Sequence, residues 1–274
     1  MNTVLVTGAS TGIGEATARR LKAAGWEVFA AARKDADLER LRGEGFTPLK
    51  LDVTDPDTIA AAKDELDERG LRGLVNNAGI TVSGPIEFIP LDELRQQLEV
   101  NLVGQVAVIQ AFMPNIREAK GRVVNVSSIG GKIALPLVGP YAASKFGLEA
   151  VSDALRRELR PWGIHVSLIE PGAVVTPIWE RGRETADRLE AEMGERSQAL
   201  YGRLAQRIRA ETEKIPERGV GPDEVAKAIE RALTDSRPKA RYVVGRDAKM
   251  RLKIKALIGD RRFDGLIART LDWR

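Results

Sequence analysis

The stretch TVLVTGASTGIG, residues 3–14, decides the fold. Thr3–Thr7 is apolar and β-branched and stops at Gly8, which predicts a buried strand. Ile13, Ala16, Thr17, Leu21 and Ala24 then recur at helical spacing, and Gly25 offers a C′ glycine, so a helix is expected over Ile13–Ala24. The turn between them holds Gly8, Ser10, Gly12 and Gly14. Glycines in such a turn let backbone approach a pyrophosphate, which then rests against the positive end of the following helix. The spacing is GxxxGxG rather than the commoner GxGxxG, and a plain tight turn is the competing reading.

Outward from this turn the same rhythm repeats. Strands are predicted at Glu27–Ala32, Thr47–Leu51, Leu74–Asn76, Arg122–Ser127, Ile164–Glu170 and Arg241–Val244. Between them lie helical patterns at Ala36–Leu41, from Pro56 to about Arg69, at Leu91–Ile116 and at Tyr141–Trp162, with another at Pro222–Leu233. Thr54 or Asp55 caps the helix that Pro56 opens. Strands and helices in alternation imply a parallel sheet covered on both faces. The expected architecture is α/β: one doubly wound, Rossmann-type domain over residues 1–274, with a parallel sheet of about seven strands.

Composition narrows the chemistry. The chain has 274 residues, 43 basic and 39 acidic side chains, and a net charge of +4. Apolar residues recur throughout, which excludes a disordered chain. No run approaches the ~18–20 apolar residues of a membrane span, and the first residues lack the pattern of a signal peptide. Zero cysteines exclude disulfides, thiol catalysis and Cys-ligated metals, and a single histidine excludes a multi-His metal site and a Ser-His-Asp triad. A cytoplasmic protein without a metal, working through Tyr, Lys, Ser, Asp, Glu or Arg, is the expectation. His165 lies in an alternating strand and is given no catalytic role.

Further motifs fall in a fixed order. Asn76-Asn77-Ala78-Gly79 closes the fourth strand, Asn101 lies in the long helix, and Ser127-Ser128 ends the fifth strand. Tyr141 and Lys145 open the next helix as YAASK, and Pro171-Gly172 follows the sixth strand. Residues four apart on a helix share a face, so the Lys145 ammonium is expected beside the Tyr141 phenol. A tyrosine titrates near ~10 when unperturbed, and a neighbouring positive charge favours the phenolate, bringing it toward a pH at which it can move protons.

This ordered set resembles the short-chain dehydrogenase/reductase family, in the TGxxxGIG, NNAG, YxxxK and PG pattern, densely over residues 1 to about 178 and more loosely to about 245. The segment SDALRRELRPWGIHVSLIEPG looks like the steroid and retinol dehydrogenase branches. The resemblance implies that Tyr141 moves the proton at an alcohol or ketone oxygen and that Lys145 tunes Tyr141 and binds the nicotinamide ribose. It implies that Ser128 holds the substrate oxygen, with Ser127 the rival, and that Asn101 fixes a helix distortion and a proton-relaying water. It places Gly8, Ser10, Gly12, Ile13, Gly14, Asp52, Val53, Asn77, Ala78, Gly79, Tyr141, Lys145, Pro171, Gly172, Val174 and Thr176 around the cofactor. Asp52 would meet the adenine, its alternative being a loop or cap carboxylate, and Thr176 would meet the carboxamide.

NAD-binding relatives carry an acidic residue at the end of the second strand. Here Ala32 stands there, followed by Arg33 and Lys34, and Arg33 can pair with a 2′-phosphate, so NADP(H) is the expected cofactor. Asp35 and Asp37 are expected in the next helix; a strand end displaced by three residues would bring Asp35 forward and favour NAD.

The segment 178–220 departs from the repeat. It is dense in charge and carries Leu189, Met193, Leu200, Leu204 and Ile208 as an apolar stripe. It is expected to form a substrate lid whose inner face, with Ile178, Trp179, Leu189 and Met193, suits a hydrophobic alcohol or ketone. The tail, residues 246–274, is basic and helical: residues 249–262 hold six basic side chains and one acidic, with Met250, Ile254, Leu257 and Ile258 between them. Docking of this helix on the body is the expectation, and contact with an anionic membrane surface the alternative.

The expected activity is NADP(H)-dependent interconversion of a secondary alcohol and a carbonyl on a small-molecule substrate, with no nucleic-acid partner. A homodimer or homotetramer packed through the two long helices follows from the resemblance. Enoyl reductases of this fold place six residues between Tyr and Lys, whereas three lie here. The reading from another class is a non-catalytic NADP(H)-sensing protein on the same fold.

Overall fold

A computed structural model describes residues 2–66 and 69–273. Seven strands form one parallel sheet: β1 (Thr3–Val6), β2 (Glu27–Ala32), β3 (Thr47–Lys50), β4 (Gly73–Asn76), β5 (Arg122–Val126), β6 (His165–Pro171) and β7 (Arg241–Val244). Their spatial order is β3-β2-β1-β4-β5-β6-β7, so the winding reverses between β1 and β4. In a sheet of this kind the crevice at the reversal, beyond the carboxyl ends of the strands, is the natural ligand site.

Alternate residues of each strand feed opposite cores, as the period of two requires. Val4, Val6, Val28 and Ala30 pack on one face, against α1 (Gly12–Ala23) and the later helix over Pro222–Thr234. Leu5, Phe29 and Ala31 pack on the other, against α3 (Pro56–Leu66) and the helix over Gly104–Glu118. Helix α2 (Asp35–Gly43) follows β2, so the strand does end at Ala32 and Asp35 opens the helix. Asp55 caps α3, accepting from the amides of Asp57 and Thr58 at 3.0 and 3.4 Å. The expected end of that helix, near Arg69, falls at a gap in the described residues: α3 is described to Leu66, Asp67 and Glu68 lie outside the described residues, and Arg69 is not helical.

The expected single helix over Leu91–Ile116 is three pieces: α4 (Leu91–Leu98), one π turn (Glu99–Val103) and α5 (Gly104–Glu118). A π turn inserts an extra residue into the helical repeat, and no hydrophobic period announces it. Helix α6 (Gly139–Glu158) starts two residues before Tyr141, with Pro140 in its first turn. The charged segment is α7 (Ile178–Glu213), broken at Gly194 by non-helical angles (φ 74°, ψ 179°), then α8 (Ile215–Arg218). Helix α9 (Pro222–Thr234) returns to the core, and α10 (Arg246–Thr270) ends the chain.

The tail helix docks less completely than its pattern predicts. Ala248 and Phe263 are buried, but Met250 and Leu257 are exposed. Among the described residues no helix is long and apolar enough to cross a membrane.

Candidate active site

The glycine turn at the end of β1 is shaped by backbone that only glycine tolerates. Gly8 and Gly12 have φ of +62° and +59°. A Cβ on Gly14 would lie 2.2 Å from the Gly8 carbonyl oxygen and 2.5 Å from Asn77 Nδ2. Asn77 holds the turn from β4, donating through Nδ2 to the carbonyls of Thr7 (3.0 Å) and Gly8 (3.2 Å). Thr7 Oγ1 accepts from the amides of Asn77 and Ala78 at 2.9 and 3.0 Å, which locks β1 to β4 at the reversal point. Thr11 precedes α1 without a side-chain cap, so its side chain satisfies none of the first amides of that helix. Thr176 closes the far wall: a Cβ on Gly12 would meet its methyl at 3.1 Å. Val174 is buried beneath this segment, and its carbonyl accepts from the Trp179 indole at 2.7 Å. Gly172, just past β6, is covered by Asp247 and Ala248 of α10.

Arg33 stands directly after β2, with an exposed guanidinium 3.4 Å from Asp52. Burial opposes ionisation of Asp52, but hydrogen bonds from the Thr54 amide and hydroxyl, with the Arg33 charge, outweigh it and hold the carboxyl below its ordinary value. One Asp52 oxygen is thus used in its own loop, and the other faces Arg33. Val53 is buried, its carbonyl tight against Gly104 at the head of α5. Asp35 pairs with Lys50 at 2.8 Å. The groups an adenosine 2′-phosphate would meet at the end of β2 are therefore basic.

Around the turn's other side, the π turn buries Asn101 completely. Its Oδ1 accepts from the Ile80 amide (2.9 Å), and its Nδ2 donates to the Ile80 carbonyl (3.0 Å) and to Ser144 Oγ (3.2 Å). Asn101 thereby ties the segment after Gly79 to α6. Ser128, past the end of β5, accepts from the Gly130 amide at 3.0 Å and shares a hydrogen bond with the Tyr141 hydroxyl. Ser127 differs: its hydroxyl is buried beside Gly131 and has no hydrogen-bond partner among the described residues.

Lys145 is buried and donates to the Val126 carbonyl at 2.8 Å, with its ammonium 5.8 Å from the centre of the Tyr141 ring. Burial lowers its pKa to about 8, against the favourable charge of Glu149 one turn further along α6. The Tyr141 phenol is pushed up by burial, with the Ser128 hydrogen bond pulling the other way. This differs from the expectation that Lys145 lowers the phenol. The shared helix face was read correctly, but the ammonium is turned to a strand carbonyl and both groups are desolvated. His165 lies exposed at the opposite end of β6 and takes no part.

A cavity of about 110 Å³, partly open to solvent, lies between α7 and the segments that flank these residues in the chain. Thr81, two residues past Gly79, and Leu137 and Val138, just before Tyr141, form its inner wall; Trp179, Met193 and Ile208 form its lid side. Leu189, expected on the same face, is instead fully buried with Val82 and Ile89. One feature escaped the sequence reading: a buried carboxylate pair, Glu149 and Glu170, held by Lys132 and Arg241. The position of Glu149, one turn after Lys145, was the available signal.

Residues 2–187 match the short chain dehydrogenase family. The chain is 36% identical to the NADPH-dependent 3-dehydrocapnine reductase of Ornithobacterium rhinotracheale, over 99% of this chain and 98% of that one. It is 38% identical to retinol dehydrogenase 16 of Homo sapiens, over 90% of this chain and 81% of that one. A short chain dehydrogenase from Burkholderia cenocepacia J2315, solved in complex with NADP, superposes with a TM-score of 0.76 at 25% identity, covering 98% of this chain and 97% of that one. The ordered motifs, their convergence at the sheet's reversal point and these matches lead to one conclusion: the chain belongs to the short-chain dehydrogenase/reductase family.

Proposed function

We propose that this protein is an NADP(H)-dependent oxidoreductase that interconverts a secondary alcohol and a carbonyl on a largely apolar small molecule. The observation that carries this reading is the meeting of Ser128, Tyr141 and Lys145, with an apolar cavity lined by Leu137 and Val138, the residues that lead into the helix of Tyr141. The glycine turn, the uncapped start of α1 and the basic residue after β2 fit a dinucleotide with a 2′-phosphate. The NADPH dependence of the 3-dehydrocapnine reductase supports the same cofactor. Bound NADPH supplies a hydride.

In the reductive direction the Ser128 hydroxyl donates to the carbonyl oxygen and orients it. Tyr141 gives its proton to that oxygen as negative charge develops there. The resulting phenolate is stabilised by the Lys145 ammonium, which the Val126 carbonyl holds in place. Because burial favours the neutral phenol, Tyr141 is protonated at neutral pH and ready to donate. Asn101 keeps the backbone of residues 79–80 against α6 and so maintains the spacing of the site.

The test is NADPH oxidation at 340 nm against ketones and aldehydes graded from small polar compounds to long-chain, steroid and retinoid carbonyls. Turnover of the apolar compounds is expected, and Tyr141→Phe should lower kcat by about 10²–10⁴-fold, the range of general acid catalysis, while NADPH affinity stays. Turnover indifferent to this substitution would remove Tyr141 from the mechanism. Tight NADPH binding with no turnover of any carbonyl would favour the sensor reading.

A further inference from the structure

The lid helix α7 carries a charge that the protein itself leaves unmatched. Three charged side chains line the cavity: Arg183, Glu190 and Arg209. Arg209 is neutralised within the lid, paired with Asp187 and lying 3.8 Å from Glu190, because the break at Gly194 brings the second arm of α7 back over the first. Arg183 has no hydrogen bond or ion pair among the described residues. It is nonetheless half-buried, on the wall of a cavity otherwise lined mainly by Pro85, Leu137, Val138, Trp179, Met193 and Ile208.

A guanidinium drawn out of water without a partner carries an uncompensated desolvation cost, and an oxyanion relieves it. Arginine also presents a planar fork of donors that fits carboxylate, sulfonate or phosphate oxygens two at a time. Its place along the helix is informative. Gly182 packs so closely on Thr81 that a Cβ there would meet the threonine methyl at 2.5 Å. Thr81 follows Gly79, which Asn101 holds against the site, so Arg183 stands at the inner wall of the cavity. Met193, Ala205 and Ile208 lie further along the two arms and offer an apolar channel.

We infer that Arg183 selects amphiphilic substrates: a carbonyl or alcohol that also carries an oxyanion and an apolar chain. This rests on the cavity being the substrate site of the proposed oxidoreductase, and it assigns to Arg183 a role in specificity rather than in catalysis. The oxyanion would pair with Arg183 while the reacting oxygen reaches Ser128 and Tyr141. A neutral compound of the same length would leave the guanidinium buried and unmatched.

Calorimetric titration of the NADPH-loaded protein with dodecanoate, dodecanesulfonate and dodecanol, each below its micelle concentration, tests the inference without requiring turnover. At least one of the two anions should bind about tenfold or more tightly than the alcohol, the scale of one charge-assisted hydrogen bond. Whichever anion binds more tightly identifies the acid class. Arg183→Gln should abolish the preference and leave dodecanol affinity within about twofold, whereas Arg183→Lys, which keeps the charge but not the fork, should retain part of it. Equal binding of all three compounds, a preference that survives Arg183→Gln, or no binding of any of them would overturn the inference. Tyr141→Phe should bind the anions as the unaltered protein does, so loss of the catalytic reading and loss of the Arg183 reading give different results.

Discussion

Gly14 has no room for one more carbon. Its missing side chain lets the first turn of α1 sit against the Gly8 carbonyl, and the Asn77 amide fills the remaining space. Gly14→Ala would put a methyl 2.2 Å from that carbonyl oxygen, and the obstacle is backbone that is itself clamped to β4. The turn must open, so the variant should bind NADPH at least tenfold more weakly and lose about 1–3 kcal/mol of stability, the cost of overpacking a tight site. Fluorescence titration with NADPH and urea unfolding would check both, and unchanged affinity would detach the turn from the cofactor. At this scale the sequence was readable where a residue type has few alternatives: the glycines, the Tyr–Lys spacing and the bare end of β2. The direction of the Lys145 side chain was not, because helical spacing fixes a face but not the acceptor that the ammonium finds.

The stretch from α4 through the π turn to α5 shows what an element can hide. Leu91, Leu94, Leu98, Leu102 and Val106 satisfy a continuous helical period, yet the helix widens at Glu99–Val103 to bury the Asn101 amide. The reason is a tertiary one. The backbone after β4 leaves the sheet with Ile80 needing partners, and Asn101 supplies both. Gln97 shares the carbonyl at 3.1 Å, but among the described residues the Ile80 amide has Asn101 as its side-chain acceptor. Asn101→Ala should therefore cost about 1–3 kcal/mol for an orphaned buried donor, read from the urea midpoint at unchanged m. A loss below about half a kcal/mol would mean that the helix relaxes to a regular α-helix and frees the amide to water. The break at Gly194 was hidden from the sequence: a glycine in a charge-rich helical segment reads as a surface position, and only the return of the second arm requires its positive φ.

Across the whole molecule, the polar stripe that begins at Tyr141 and Lys145 continues down α6 through Glu149 and Asp153. It meets Glu170 of β6, Arg241 of β7 and Lys132 beyond β5. Arg241 Nε lies 3.0 Å from both Glu149 and Glu170, and Lys132 lies 2.8 Å from Glu149 and 3.9 Å from Glu170. Burial, then the neighbouring Glu149 charge, raises the Glu170 pKa to about 7 against the pull of Lys132 and Arg241. An unfolded glutamate titrates near ~4.3, so between that value and about 7 the folded protein holds more protons than the unfolded chain. Stability from Glu170 is thus greatest below the unfolded value and is lost as pH rises through 7. Glu170→Gln, always neutral, removes that slope. The Tm of the unaltered protein minus that of the variant should fall from pH 5 to pH 8, and a constant difference would show that Glu170 stays ionised throughout.

Sequence alone determined the order of strands and helices along the chain and the glycine turn after β1. Those signals are local: a period of two or of 3.6, a glycine that no other residue can replace, a fixed spacing on one helix face. Tertiary structure decided what each side chain meets. It turned Lys145 toward Val126, opened a π turn for Asn101, buried two carboxylates side by side and left Arg183 without a partner in the cavity wall. Such outcomes depend on groups far apart in the chain, where desolvation and partner geometry, rather than residue type, set the charge and direction of a side chain.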